Sequence, residues 1–138
     1  MIVTLDKYLT SNGRHPEVMK SWDGSLEKNA LKTVAMISEL ASLANFEIKD
    51  ITSGWRPTWL NKQIGGSPTS KHVYAQAIDV SDETKEFGTW LINNVALLKS
   101  RGWAIESLSI THAGDDLKKY WVHCQQILPP SGNVIFSP

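Results

Sequence analysis

A chain of 138 residues, 41% hydrophobic and 20% charged, has the size and make-up of one folded domain, and its six tryptophans argue against general disorder. Fourteen basic residues cancel fourteen acidic ones, so no basic excess points to a nucleic-acid partner. The lone Cys124 excludes an internal disulfide. The start Met1-Ile2-Val3-Thr4-Leu5-Asp6-Lys7 lacks the pattern of a secretory signal, and no apolar run approaches the ~20 residues of a membrane span.

Residues 10–24 are rich in Ser, Asn, Gly, Pro and Asp and read as loop, with His15 exposed and inert within it. A long amphipathic helix is expected over 26–44, capped in part by Ser25, with Leu31, Val34, Ala35, Ile37, Leu40 and Leu43 as its apolar stripe. Residues 46–52 partly alternate and read as a strand that Ser53-Gly54-Trp55-Arg56-Pro57 ends. Pro57 can open a short helix, because its missing N–H would have had no partner there; Gly65-Gly66 stops it. Ser67-Pro68-Thr69-Ser70 is a loop leading to His72, and Ala77-Ile78-Asp79-Val80 a short buried strand.

Ser81 or Asp82 is expected to cap a second helix over about 83–100, closed by Gly102 after a basic turn that suits the negative end of the helix dipole. Two strands over roughly 103–112 and 117–126 then read as a hairpin joined by Ala113-Gly114-Asp115-Asp116. Val134-Ile135-Phe136 suits an edge strand. The order of elements predicts an α+β domain with helices on one side of a small antiparallel sheet.

The hairpin permits a geometric inference. If His112 faces Leu117, paired residue numbers sum to 229 and Glu106 lies opposite His123. Alternation then puts Glu106, Leu108, Ile110, Trp121 and His123 on one face, and Cys124 on the other as a buried thiol. A one-residue slip would reverse this. His123 would thereby be placed to meet His72 and Asp79.

Two imidazoles and one carboxylate are a common zinc-ligand set that leaves a fourth position for water. The spacing of His72 and Asp79 taken alone suits a surface histidine and a capping aspartate better than a metal pair. His123 beside Trp121 would also pass for an ordinary half-buried sheet histidine, and Asp115 and Asp116 for turn formers.

The ordered pattern Ser70-x-His72-x-x-Ala75-x-Ala77-x-Asp79, followed by Trp121-x-His123, resembles the zinc D-Ala-D-Ala carboxypeptidase and L-alanyl-D-glutamate endopeptidase family. That family has the Hedgehog/D,D-peptidase fold and includes many phage endolysins. Ser53-Gly54-Trp55-Arg56, Asn61 and Gly65 to Ser70 are similar to the segment these enzymes place before the first histidine. The resemblance implies Zn2+ held by His72, Asp79 and His123, and a substrate in the stem peptides of bacterial peptidoglycan. It implies that Arg56 contacts substrate near the scissile bond, with Ser70 binding substrate or orienting the ligand loop.

Two positions depart from the family pattern. Ala75 stands where the motif has glycine, which is tolerable at φ < 0 and costly otherwise. Tyr120 stands where many members carry the general base, three residues before the last histidine. Glu106 is the preferred substitute, then Asp116, with Asp115 and His112 behind them.

These readings converge on a monomeric zinc peptidase made without a signal and acting on the cell wall, either as a released phage lysis enzyme or as a virion component. The rivals are a catalytically weak or inactive zinc-binding module of the same fold, which Tyr120 motivates, and a zinc amidase.

Overall fold

The longest apolar stripe forms the longest helix. In the computed structural model, which describes residues 1–11 and 16–138, helix α3 runs from Glu27 to Leu43. His15 lies outside the described residues. The buried face of α3 is Ala30, Thr33, Met36, Ile37, Leu40 and Ala41, whereas Leu31 and Leu43 are about half exposed. The expected stripe was thus out of phase at its flanks, where Ala30, Thr33 and Ala41 are buried and the two leucines are not. Ser25 does not cap this helix; its own N–H is taken by Asp23 Oδ1, and Leu26 holds the cap position without a side-chain bond.

Two short helices precede α3, α1 (Leu5–Leu9) and α2 (Pro16–Lys20), so the stretch read as loop is partly helical. The other elements in chain order are β1 (Ile51–Ser53), α4 (Thr58–Gln63), β2 (Ala77–Ser81), α5 (Glu86–Asn93), α6 (Val95–Arg101), β3 (Ala104–Glu106), α7 (Leu108–Thr111), β4 (Trp121–Gln125) and β5 (Ile135–Phe136). Pro57 stands at the N-cap position of α4, one residue before the helix it was expected to open, and makes no side-chain capping bond. The helix expected over 83–100 is two helices, broken at Asn94, whose side chain donates to the Trp90 carbonyl at 2.7 Å. Gly102, at φ +70°, ends α6 in the left-handed conformation that glycine tolerates.

Asp82 does cap α5, but from a distance. Its two carboxylate oxygens accept the Phe87 and Gly88 N–H groups at 3.0 and 2.8 Å, two of the donors that a helix start leaves without partners. The same buried carboxylate accepts His112 Nε2–H at 2.7 Å.

The five strands form one sheet in the order β1-β2-β4-β3-β5. All neighbours are antiparallel except β3 and β5, which are parallel, so the sheet is mixed rather than purely antiparallel. The α+β class holds. The hairpin holds only at its base: Ala104 faces Gln125 and Ile105 faces Cys124, which is the register in which residue numbers sum to 229. Beyond Glu106 the chain turns into α7, so Leu108 and Ile110 are helical and leave the sheet face assigned to them. Ser107 Oγ accepts the Ser109 N–H and starts that turn, a local bond the strand reading overlooked.

Strand alternation divides the sheet cleanly. Ile78, Val80, Ile105, Val122 and Cys124 point into the core against Met36, Ile37, Leu40, Phe87, Leu91 and Leu98. Full burial of such side chains stabilises by roughly 1.5–3 kcal/mol each. The opposite face carries Asp79, Glu106, Trp121, His123 and Gln125, which open onto a cleft. Packing and chemistry therefore occupy separate faces of the sheet.

Candidate metal centre

One transverse row of the sheet builds the site. Asp79 on β2 faces His123 on β4, and Glu106 on β3 faces Phe136 on β5. Carrying the β3–β4 register one step further sets Glu106 beside His123. Strand residues in register share a face, so these side chains meet without any loop to place them.

His72 arrives from the side. It sits in a 3-10 turn, Lys71–Tyr74, that Ser70 caps by accepting the His72 N–H at 3.3 Å. The turn closes at Ala75, which adopts φ +56° and ψ +31°. A left-handed alanine costs on the order of 1–2 kcal/mol, so the motif glycine is missed here. The Ala75 carbonyl is held by Thr33 Oγ1 at 2.8 Å, which helps to keep the turn in place. Gly54 is required for a different reason: a Cβ there would lie 2.0 Å from the Tyr8 carbonyl oxygen.

His72, Asp79 and His123 offer ligand atoms that all lie within 4.8 Å of one another. Asp79 Oδ1 is 2.8 Å from His123 Nδ1 and 3.2 Å from His72 Nε2. Tetrahedral zinc with bonds of ~2.0–2.1 Å needs donors about 3.3 Å apart, so the cluster is near the required spacing. Both rings have their outer nitrogen committed. His72 Nδ1–H donates to the Gly54 carbonyl at 2.8 Å, and His123 Nε2–H donates to Gln125 Oε1 at 2.8 Å. Such bonds set which nitrogen is free to ligate.

The electrostatics agree with a cation at the centre. Burial lowers the pKa of His72, against the pull of Asp79. A neutral His72 with its proton on Nδ1 turns the lone pair of Nε2 toward a carboxylate oxygen. Two acceptors face each other there, and a cation between them resolves the conflict. Burial also opposes the charge on Asp79, but His72 and His123 outweigh it and hold the carboxyl far below its usual range. Burial would lower His123, yet the hydrogen bond and charge of Asp79 and the bond to Gln125 raise it overall.

The cluster floors a cleft of about 730 Å³. Arg56, Ser70 and Lys71 stand along it, as do Pro129, Pro130 and Phe136. Arg56 Nη2 donates to Ser70 Oγ at 3.3 Å, while its buried Nε has no partner among the described residues. Burial lowers the Arg56 pKa, with Asp79, Tyr8 and Glu106 opposing. Burial raises the pKa of Glu106, and Asp79 adds to the effect while His123 and Arg56 oppose it. A carboxyl so placed is suited to exchange protons with a reacting group.

Of the sequence-derived candidates, the structure brings together His72, Asp79, His123, Glu106, Arg56 and Ser70. It does not bring Asp116, which is exposed and accepts the Lys118 N–H at 3.1 Å to cap the 3-10 turn Leu117–Lys119. Asp116 was expected in the loop of a hairpin, but α7 and this turn replace the hairpin stem. His112 is absorbed by Asp82 and Thr111. Tyr120 is buried away from the cleft lining; its hydroxyl donates to the Gly114 carbonyl at 2.5 Å and its ring lies 4.9 Å from that of His112. Cys124 points into the core as expected, and burial pushes its thiol pKa up.

Two contributors escaped the sequence reading. Gln125 was findable, since it lies two residues beyond His123 on the same strand face. The cleft wall from 129 to 138 was not, because it depends on the parallel docking of β5 against β3.

Comparison with curated proteins and with solved structures gives no match. The family model described as Peptidase M15 matches residues 7–124, a span that includes all three clustered residues. The chain therefore belongs to the peptidase M15 family, the zinc D-Ala-D-Ala carboxypeptidase family, and is a metallopeptidase.

Proposed function

We propose that this protein hydrolyses a peptide bond in the stem peptides of bacterial peptidoglycan, with zinc held by His72, Asp79 and His123. The observation that carries the reading is the His-Asp-His cluster, its two histidines buried and the outer nitrogen of each ring already bonded, at the floor of an open cleft. Zinc bound by such a set lowers the pKa of water to near neutrality and polarises a carbonyl.

The chain's own residues divide the remaining work. Arg56 presents a half-buried, incompletely bonded guanidinium to the cleft, which suits a substrate carboxylate or a carbonyl oxygen gaining charge. Ser70 steadies Arg56 and the His72 turn together. Glu106 takes a proton from the attacking water and passes it to the leaving amine, a role that its raised pKa favours. Trp121, Pro129 and Pro130 line the cleft beside these residues.

In this reading the protein acts as a monomer on the wall, as a released phage lysis enzyme or a virion-borne one. The presence of Glu106 in the cleft favours turnover over an inactive module, because the loss of an acid at Tyr120 is made good from the neighbouring strand. Chelator treatment of the purified protein is expected to abolish release of new amino or carboxyl termini from murein, and added zinc to restore it. Full cleavage by rigorously metal-free protein would overturn the reading. Release of whole stem peptides from glycan would instead indicate an amidase.

A further inference from the structure

His123 has two ring nitrogens, and only the one without a proton can bind a metal. Asp79 approaches Nδ1, and Gln125 approaches Nε2 from the opposite side of the ring. Gln125 is buried and central, pairing with Ala77 on one side and Ala104 on the other. Its side-chain amide cannot turn over freely, because Nε2 donates to the Ile127 carbonyl at 2.8 Å. That bond leaves Oε1 facing His123, where it can only accept. A flipped amide would set its oxygen against the Ile127 carbonyl and its NH2 against the ring N–H. Phe136 meets the same ring edge-on, with centroids 5.7 Å apart.

We propose that Gln125 is a positioning residue for the metal centre: by accepting the Nε2–H of His123 it keeps the proton there and leaves Nδ1 as the ligand atom. Gln125 touches neither metal nor substrate in this role. It follows directly on the segment matched by the family model, residues 7–124. The site is consequently asymmetric, with His72 ligating through Nε2 and His123 through Nδ1, each outer N–H held by a protein oxygen. The inference rests on the metal reading of the cluster.

The test compares wild-type protein with Gln125→Leu, which keeps volume and removes the acceptor. Zinc affinity is measured by competition with a chromophoric chelator, beginning from metal-free protein. Loss of such a partner is expected to weaken zinc binding by about 10–100-fold. The thermal midpoint of each metal-free protein reports folding separately, so a role confined to stability would shift the midpoint and leave the affinity alone. Long-range 15N NMR of zinc-loaded wild-type protein gives a second readout that needs no variant: His123 should show a protonated Nε2 and a metal-bound Nδ1. An affinity change below about twofold in folded Gln125→Leu, or zinc on Nε2 of His123, overturns the assignment. Wild-type protein that takes up no zinc overturns the metal reading itself, and the assignment with it.

Discussion

Replacing Glu106 with glutamine tests the proton-transfer role most directly. The two side chains have nearly the same shape, and among the described residues no hydrogen bond or ion pair ties the Glu106 carboxylate to the fold. The substitution should therefore spare zinc content and secondary structure. What it removes is a carboxyl whose pKa burial has raised, standing in the cleft beside His123 and Arg56. General acid–base catalysis contributes about 10²–10⁴ in rate, or roughly 2.7–5.4 kcal/mol at 1.36 kcal/mol per decade. The expected result is a fall of that size in kcat/KM, read from release of new amino termini from purified murein at fixed zinc. Stability should move the other way. A carboxyl with a raised folded pKa is disfavoured in its charged form, so its ionisation costs stability once pH passes the unfolded value. At neutral pH Glu106→Gln should unfold at the same temperature as wild type or higher. A variant that keeps more than about a tenth of wild-type kcat/KM with a full complement of zinc would refute the assignment.

Asp116→Asn should stay within about twofold of wild-type activity in the same assay, as its carboxylate only caps an exposed turn. Tyr120→Phe should likewise keep activity while losing about 1 kcal/mol of stability in denaturant titration, the net worth of the hydroxyl bond to Gly114. Asp82→Ala should cost about 3–5 kcal/mol, because two buried backbone N–H groups and His112 lose their shared acceptor; a loss below about 1 kcal/mol would contradict that network. Metal-free protein should have a stability maximum near the ordinary histidine pKa. His123, raised in the fold, contributes stability below its unfolded pKa that is lost as pH rises through the folded value. His72, lowered in the fold, costs stability as pH falls below its unfolded pKa, and Asp79 adds a further loss in strong acid. Thermal melts across pH in excess chelator check this, and a flat profile between pH 5 and 9 would contradict it.

The His-Asp-His cluster was legible in the chain because the motif around His72 and Asp79 is ordered and the Trp121-x-His123 pair follows at a suitable distance. The cross-strand position of Glu106 was legible too, because register follows from a summed pair of residue numbers once one pairing is right. Helix α3 announced itself by period, yet its phase was misread, since Leu31 and Leu43 look like core residues while the fold buries Ala30 and Ala41 instead.

Other features are set by contacts between segments distant in the chain. The capping role of Asp82 and the Ser107 turn are local, but no local pattern shows that the Asp82 carboxylate also grips His112, 30 residues onward. The parallel seat of β5, which walls the cleft, and the committed outer nitrogens of both histidines arise only when Gly54, Gln125 and Ile127 are brought beside them. Residue types thus determined which metal chemistry this protein can support, since donor identity is local. Tertiary packing decided which acid stands in the cleft beside His123 and which nitrogen of each ring is bonded to the protein, since both depend on neighbours that only folding supplies.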